Sequence, residues 1–108
     1  MSIEIDYKGS TLELSRPVGF MDWYEAKEQE WPDGWRLPTR IELMGLFDEA
    51  VEADHFFRNN GETWSTTSYH IAPERAWCVD FYSGVCYAFT KNIACKIRLV
   101  RETPICNS

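Results

Sequence analysis

The stretch Trp35-Arg36-Leu37-Pro38-Thr39-Arg40-Ile41-Glu42-Leu43 constrains this chain more than any other. Thr39 followed three residues later by Glu42 is a capping box: the hydroxyl accepts from the Glu42 N–H, and the carboxylate reaches back to the Thr39 N–H. Pro38 disfavours helical geometry at Leu37, so the chain enters extended and turns into a helix at a fixed point. From Arg40 to about Ala53, Leu43, Met44, Leu46, Phe47, Ala50 and Val51 fill an uncharged arc of roughly 160°. Glu42, Asp48, Glu49 and Glu52 take the other side, so the helix buries one stripe and solvates the rest.

A second capping box, Asp22-x-x-Glu25, opens a helix from Trp23 to about Trp31, with Trp23, Ala26 and Trp31 on one face. Pro32-Asp33-Gly34 ends it. The remainder of the chain reads as strands. Ile3-Glu4-Ile5 and Thr11-Leu12-Glu13-Leu14 alternate apolar and acidic residues around Lys8-Gly9-Ser10. Trp64 to Ser68 is rich in β-preferring residues. Ala76 to Phe81 and Val85 to Thr90 form a hairpin, and Ile93 to Arg101 alternates Ile93, Cys95, Ile97 and Leu99 with Ala94, Lys96 and Arg98. A two-residue turn at Ser83-Gly84 would set Phe81 opposite Cys86 and Cys78 opposite Phe89. Trp77, Val79, Phe81, Cys86 and Ala88 then face a core, while Cys78, Asp80, Tyr82, Val85, Tyr87 and Phe89 take the other face, either an exposed recognition surface or a second layer of core under the N-terminal strands or the 52–62 loop. Residues 52–62 make a polar loop with Phe56 and Phe57 as an aromatic plug, and residues 102–108 a tail.

Four segments occur in order: Trp35-Arg36-Leu37-Pro38-Thr39-x-x-Glu42-Leu43, Trp64-Ser65-Thr66-Thr67, Ala76-Trp77-x-Val79-Asp80-Phe81-x-x-Gly84 and Arg98-x-Val100-Arg101. The series resembles the family of the C-terminal domain of the Legionella collagen-like protein, from about Asp22 to Arg101. The Arg36-Leu37-Pro38-Thr39-x-x-Glu42 core is also similar to the formylglycine-generating enzyme and sulfatase-modifying family. Both resemblances imply an α+β, C-type-lectin-like fold, with two helices packed on a small twisted antiparallel sheet in a single domain over residues 1–108. The first implies adhesion, although no collagen stalk or export signal is visible here. The second implies no activity for this chain, because the catalytic cysteine segments of those enzymes find no counterpart. Trp35, Arg36, Thr39, Glu42, Trp64, Trp77 and Arg98 are therefore expected to hold the fold.

At 108 residues the chain suits one domain with its own core. Its net charge of −6 argues against direct contact with a phosphate backbone. No apolar run is long enough for a membrane helix. The opening residues lack the basic-then-apolar pattern of a secretory leader, so the expected location is the cytoplasm, unless an export signal has been trimmed away. In that compartment the four cysteines stay reduced.

No zinc-knuckle spacing joins Cys78, Cys86, Cys95 and His70. Asp54, Asn59, Asn60 and Glu62 are oxygen donors in one loop, yet the calcium-lectin triplets are missing. No nucleophile-elbow motif exists. The expectation is a non-enzymatic module without cofactor or metal that binds a protein or a glycan. Its contact set would be Tyr82 and Tyr87, with Asp80 beside them and Asn59, Asn60 and Glu62 as a polar rim. The alternative is a small acidic intracellular interaction protein, such as a phage-type inhibitor of a host factor.

Overall fold

The computed structural model describes residues 2–7, 9–53 and 61–103. It is α+β, with the strands in two sheets. β1 (Ser2–Tyr7) and β2 (Ser10–Ser15) form the expected hairpin, registered with Ile5 opposite Leu12. β2 then pairs with β8 (Val100–Glu102), giving a three-stranded antiparallel sheet in the order β1-β2-β8.

The second sheet has five strands in the order β3-β7-β4-β5-β6. They are β3 (Gly19–Met21), β4 (Glu62–Ser68), β5 (Arg75–Asp80), β6 (Cys86–Thr90) and β7 (Cys95–Ile97). β4 and β7 run parallel, so this sheet is mixed, unlike the single antiparallel sheet expected from the sequence. The expected final strand is divided because Leu99 leaves one sheet for the other. The Ser15 N–H donates to the Leu99 carbonyl at 2.9 Å, and the Leu99 N–H donates to Ser15 Oγ at 2.8 Å. Arg98, expected to be a buried or half-buried arginine that stitches the strands, is fully buried at this crossing.

The first helix, α1 (Trp23–Glu28), starts where Asp22 accepts from the Glu25 N–H at 2.9 Å. It stops earlier than Trp31, because Gln29 is extended. Trp31 still reaches the cluster that buries Ala26. The second helix, α2 (Arg40–Ala53), opens on the complete capping box. Glu42 N–H donates to Thr39 Oγ1 at 3.1 Å and Thr39 N–H to Glu42 Oε1 at 2.9 Å. Arg40 N–H finds the Thr67 hydroxyl at 3.0 Å, so another of the amides left open by the first turn is satisfied from β4.

Two apolar clusters lie on opposite faces of the five-stranded sheet. Leu43, Leu46 and Ala50 of α2 pack with Ile5, Leu12, Leu14, Val79, Phe81 and Val100. On the other side Ala26, Leu37, Trp64, Ala76, Cys78, Cys95, Ile97 and Leu99 form the second. Cys78 is thus a buried thiol, as expected, in a second layer of core that α1 and the Trp31–Leu37 segment cover. Met44 departs from the expected stripe of α2 and is 47% exposed. No described helix is long and apolar enough to cross a membrane.

Candidate functional site

The hairpin β5–β6 is longer at its tip than two residues. Val79 lies opposite Cys86 and Cys78 opposite Tyr87, a shift of two positions from the expected register. The cause is Asp80. Its carboxylate accepts from the Tyr82 N–H at 2.8 Å and from the Ser83 hydroxyl at 3.2 Å, an Asx turn that draws Phe81 to Val85 into a loop. The Asp80 N–H donates to the Val85 carbonyl at 2.9 Å and closes it. A shift of two keeps every side chain on its expected face. Cys78 and Cys86 therefore remain on opposite sides of the sheet, and Cys78, Cys86 and Cys95 are free thiols.

Gly84 sits in the left-handed region with φ 80°, and a Cβ there would lie 2.8 Å from Phe47. The loop tip is thus clamped on α2. Phe81 goes inward and meets the Phe47 ring edge-on at 5.6 Å. Tyr82 remains 63% exposed and Val85 46%. Tyr87 stacks on Phe89 with ring centroids 5.6 Å apart. Phe89 leans on the second cluster, whereas Tyr87 is exposed.

Of the residues expected to bind, Glu62 and Asp80 are directly opposite in the β4–β5 ladder, on the same face as Tyr87. Tyr82 belongs to the adjoining loop. Asn59 and Asn60 lie outside the described residues. The structural set is placed as follows. Arg36 grips Glu42 through two bonds of 2.8 and 2.7 Å, and its backbone bridges to Val100. Trp64 is fully buried and donates Nε1 to the Met21 carbonyl at 3.1 Å. The Arg40 guanidinium lies 4.7 Å over the Trp77 ring. Arg98 lies 4.4 Å over Phe81 and donates to the Ser15 carbonyl at 3.4 Å.

The electrostatics separate anchoring groups from reactive ones. The hydrogen bonds from Arg36 hold the Glu42 carboxyl below its ordinary range, and Glu42 raises Arg36 in return. The Cys78 thiol is pushed well up by its hydrogen bond with Cys95 and by burial. Burial also raises Cys86, against the charge of Arg40. Thiols held in this way have little thiolate and are poor nucleophiles. Among the described residues, no three His, Cys, Asp or Glu side chains gather as a metal site.

One concavity escaped the sequence reading altogether. A cavity of about 410 Å³ is lined by Ser15, Arg16, Pro17, Val18, Trp31, Pro32, Trp35 and Leu99. Its walls come from four separate stretches with no shared periodicity, so no sequence pattern announced it.

No curated protein matches the chain. The model of the Lcl C-terminal domain matches residues 15–101, from the last residue of β2 into β8. The anchors of the four ordered segments, from the Thr39–Glu42 cap to the Arg98 crossing, all lie inside that span, and the chain belongs to the Lcl C-terminal domain family.

Proposed function

We propose that this domain is a non-enzymatic binding module of C-type-lectin-like architecture that recognises a protein partner through the β5–β6 hairpin end. The observation that carries this reading is the clamped loop. Gly84 fixed against Phe47 presents Tyr82 and Val85 to solvent from a rigid support, with Tyr87 on the neighbouring strand. Aromatic side chains with few rotamers lose little entropy on docking and are enriched among residues that dominate binding energy. The raised thiols and the committed carboxylates of Asp80 and Glu42 favour recognition over catalysis. The C-type-lectin-like reading draws support from family membership and from two helices packed with two sheets.

A glycan is the second reading. It is favoured by the Tyr87–Phe89 stack on the same face as the Glu62 and Asp80 carboxylates, since sugars pair an apolar ring face with hydrogen-bonding hydroxyls. Capture from lysate, run beside a glycan array with wild type and the Tyr82→Ala/Tyr87→Ala double variant, distinguishes the two. A protein bound by the wild type should weaken by at least about 2 kcal/mol in the double variant. A partner retained at full strength would remove the hairpin end from consideration, and a hit confined to the array would select the glycan.

A further inference from the structure

β6 ends the five-stranded sheet, so one side of it meets no strand. The Asp80 N–H donates to the Val85 carbonyl at 2.9 Å, and the Lys91 N–H to the Glu74 carbonyl at 2.8 Å. Between these two bonds the ladder alternates. Tyr87 and Phe89 exchange bonds with β5, while the N–H and C=O groups of Cys86 and Ala88 point off the sheet. The outward Ala88 carbonyl accepts from the Arg75 guanidinium at 2.7 Å.

The two faces beside this edge differ in charge. On one, Tyr87 stacks on Phe89 on the same side as the Glu62 and Asp80 carboxylates. On the other lie two guanidiniums. Arg75 and Trp77 alternate with Val79 and share its side of the sheet. The Arg40 guanidinium lies 4.7 Å over the Trp77 ring, and its charge opposes the rise that burial imposes on the Cys86 thiol. Among the described residues neither Arg40 nor Arg75 meets a carboxylate, whereas Arg36 and Arg101 each hold one. A carbonyl and an indole leave both charges uncompensated, a local inversion on a chain of net charge −6. An added strand thus meets repulsion for acidic side chains on the Tyr87 face and attraction for them on the Arg75 face. Side chains alternate along a strand, so the sequence that fits alternates apolar and acidic residues.

We infer that β6 takes up an extended segment of alternating apolar and acidic residues by strand addition. Its main chain bonds Cys86 and Ala88, and its acidic side chains draw Arg75 off the Ala88 carbonyl through stronger, charge-assisted bonds. A basic or neutral strand, a second copy's β6 included, leaves Arg75 in place and the carbonyl blocked. Strand addition here rests on the hairpin end being a protein-binding surface, and it gives that partner its form.

The test uses fluorescently labelled synthetic peptides, one alternating Val with Glu and one alternating Val with Lys, titrated by anisotropy into the folded chain. The glutamate peptide should bind at least about tenfold tighter, and Arg75→Glu should reverse that preference. Alternate amides of a strand point to opposite edges, so N-methylating one alternate set of the glutamate peptide should weaken binding at least about tenfold and the other set should leave it unchanged. Arg75 is exposed, and near-ultraviolet circular dichroism checks that its replacement keeps the fold. Equal affinity for the two peptides, a preference indifferent to Arg75→Glu, equal effects of the two methylated sets, or no saturable binding would each overturn strand addition. Binding that falls in Tyr82→Ala/Tyr87→Ala but with neither methylated set would also overturn it, while leaving the hairpin end as the surface.

Discussion

Arg36 and Glu42 meet through two charge-assisted bonds, and the same carboxylate also closes the capping box at Thr39. One side chain thus fixes the start of α2 and fastens it to the segment that bridges to β8. Glu42→Gln keeps an oxygen to accept from the Thr39 N–H but loses its charge against Arg36, and should cost about 1 kcal/mol, the scale of a half-exposed ion pair. Thr39→Ala, which loses only the hydroxyl's share, should cost about 1 kcal/mol. Denaturation midpoints measure both, and an unchanged midpoint for either would show that its bond contributes nothing.

Glu42 also imposes a pH dependence. Its folded-state pKa is held below the ordinary 4.5, so its contribution is fully present above that value. It is lost as pH falls through the lower folded value, where the carboxyl protonates. The stability gap between wild type and Glu42→Gln should be constant at neutral pH and narrow below about pH 4.5. A gap that widened with acidification would reverse the sign of this linkage.

Gly84→Ala should destabilise through two effects. An alanine with φ near 80° is strained by about 1–2 kcal/mol, and its Cβ would meet Phe47 at 2.8 Å, adding about 1–3 more. In a Phe47→Ala background only the backbone strain remains. A double-mutant cycle should therefore give a coupling of about 1 kcal/mol or more, and strict additivity would show that the loop does not rest on this ring.

The three described cysteines should differ in reactivity. Cys78 and Cys95 are buried and hydrogen-bonded to each other, while Cys86 is half-buried near Arg40. Brief alkylation of the native protein, followed by peptide mass mapping, should label Cys86 first and spare the other two until unfolding. Early labelling of Cys78 would contradict the packing described.

Arg75 guards an edge. Bonds from Asp80 to Val85 and from Lys91 to Glu74 place the hydrogen-bonded pairs of β5–β6 at Cys78/Tyr87 and Ala76/Phe89. The Ala88 carbonyl then points off the sheet, where Arg75 caps it at 2.7 Å. The strand Cys86-Tyr87-Ala88-Phe89-Thr90 has no charge or proline of its own to deter pairing. Arg75→Ala should bring concentration-dependent association in sedimentation experiments, and a monodisperse variant would show that the cap is dispensable.

What the sequence disclosed was local chemistry. Thr39–Glu42 and Asp22–Glu25 each carry their helix start within four residues, and both caps form as read. Alternation in Leu12 and Leu14 likewise declares the buried face of β2. Most of what stayed hidden concerns what a segment meets far away. Arg98 was legible as a structural anchor, but alternation could not show that it lies where the strand changes sheets. A second core layer around Cys78 was one of two open readings, because nothing nearby announces that α1 and Trp31 cover that face. The hairpin register slipped because the Asp80 carboxylate outcompeted the Ser83-Gly84 turn. For the candidate sites, Tyr82 and Tyr87 were legible as aromatics on a non-core position. The cavity was not, since its residues converge only once both sheets exist.

The pairing of β2 with β8 has a consequence for synthesis. Glu13 and Arg101 form an ion pair of 2.7 Å across 88 positions of sequence. β2 can pair with β1 as soon as both exist, but its other edge meets β8 only once Val100 has followed, and closing so long a loop makes that pairing slow. The three-stranded sheet is thus complete only when two segments far apart in the chain have met.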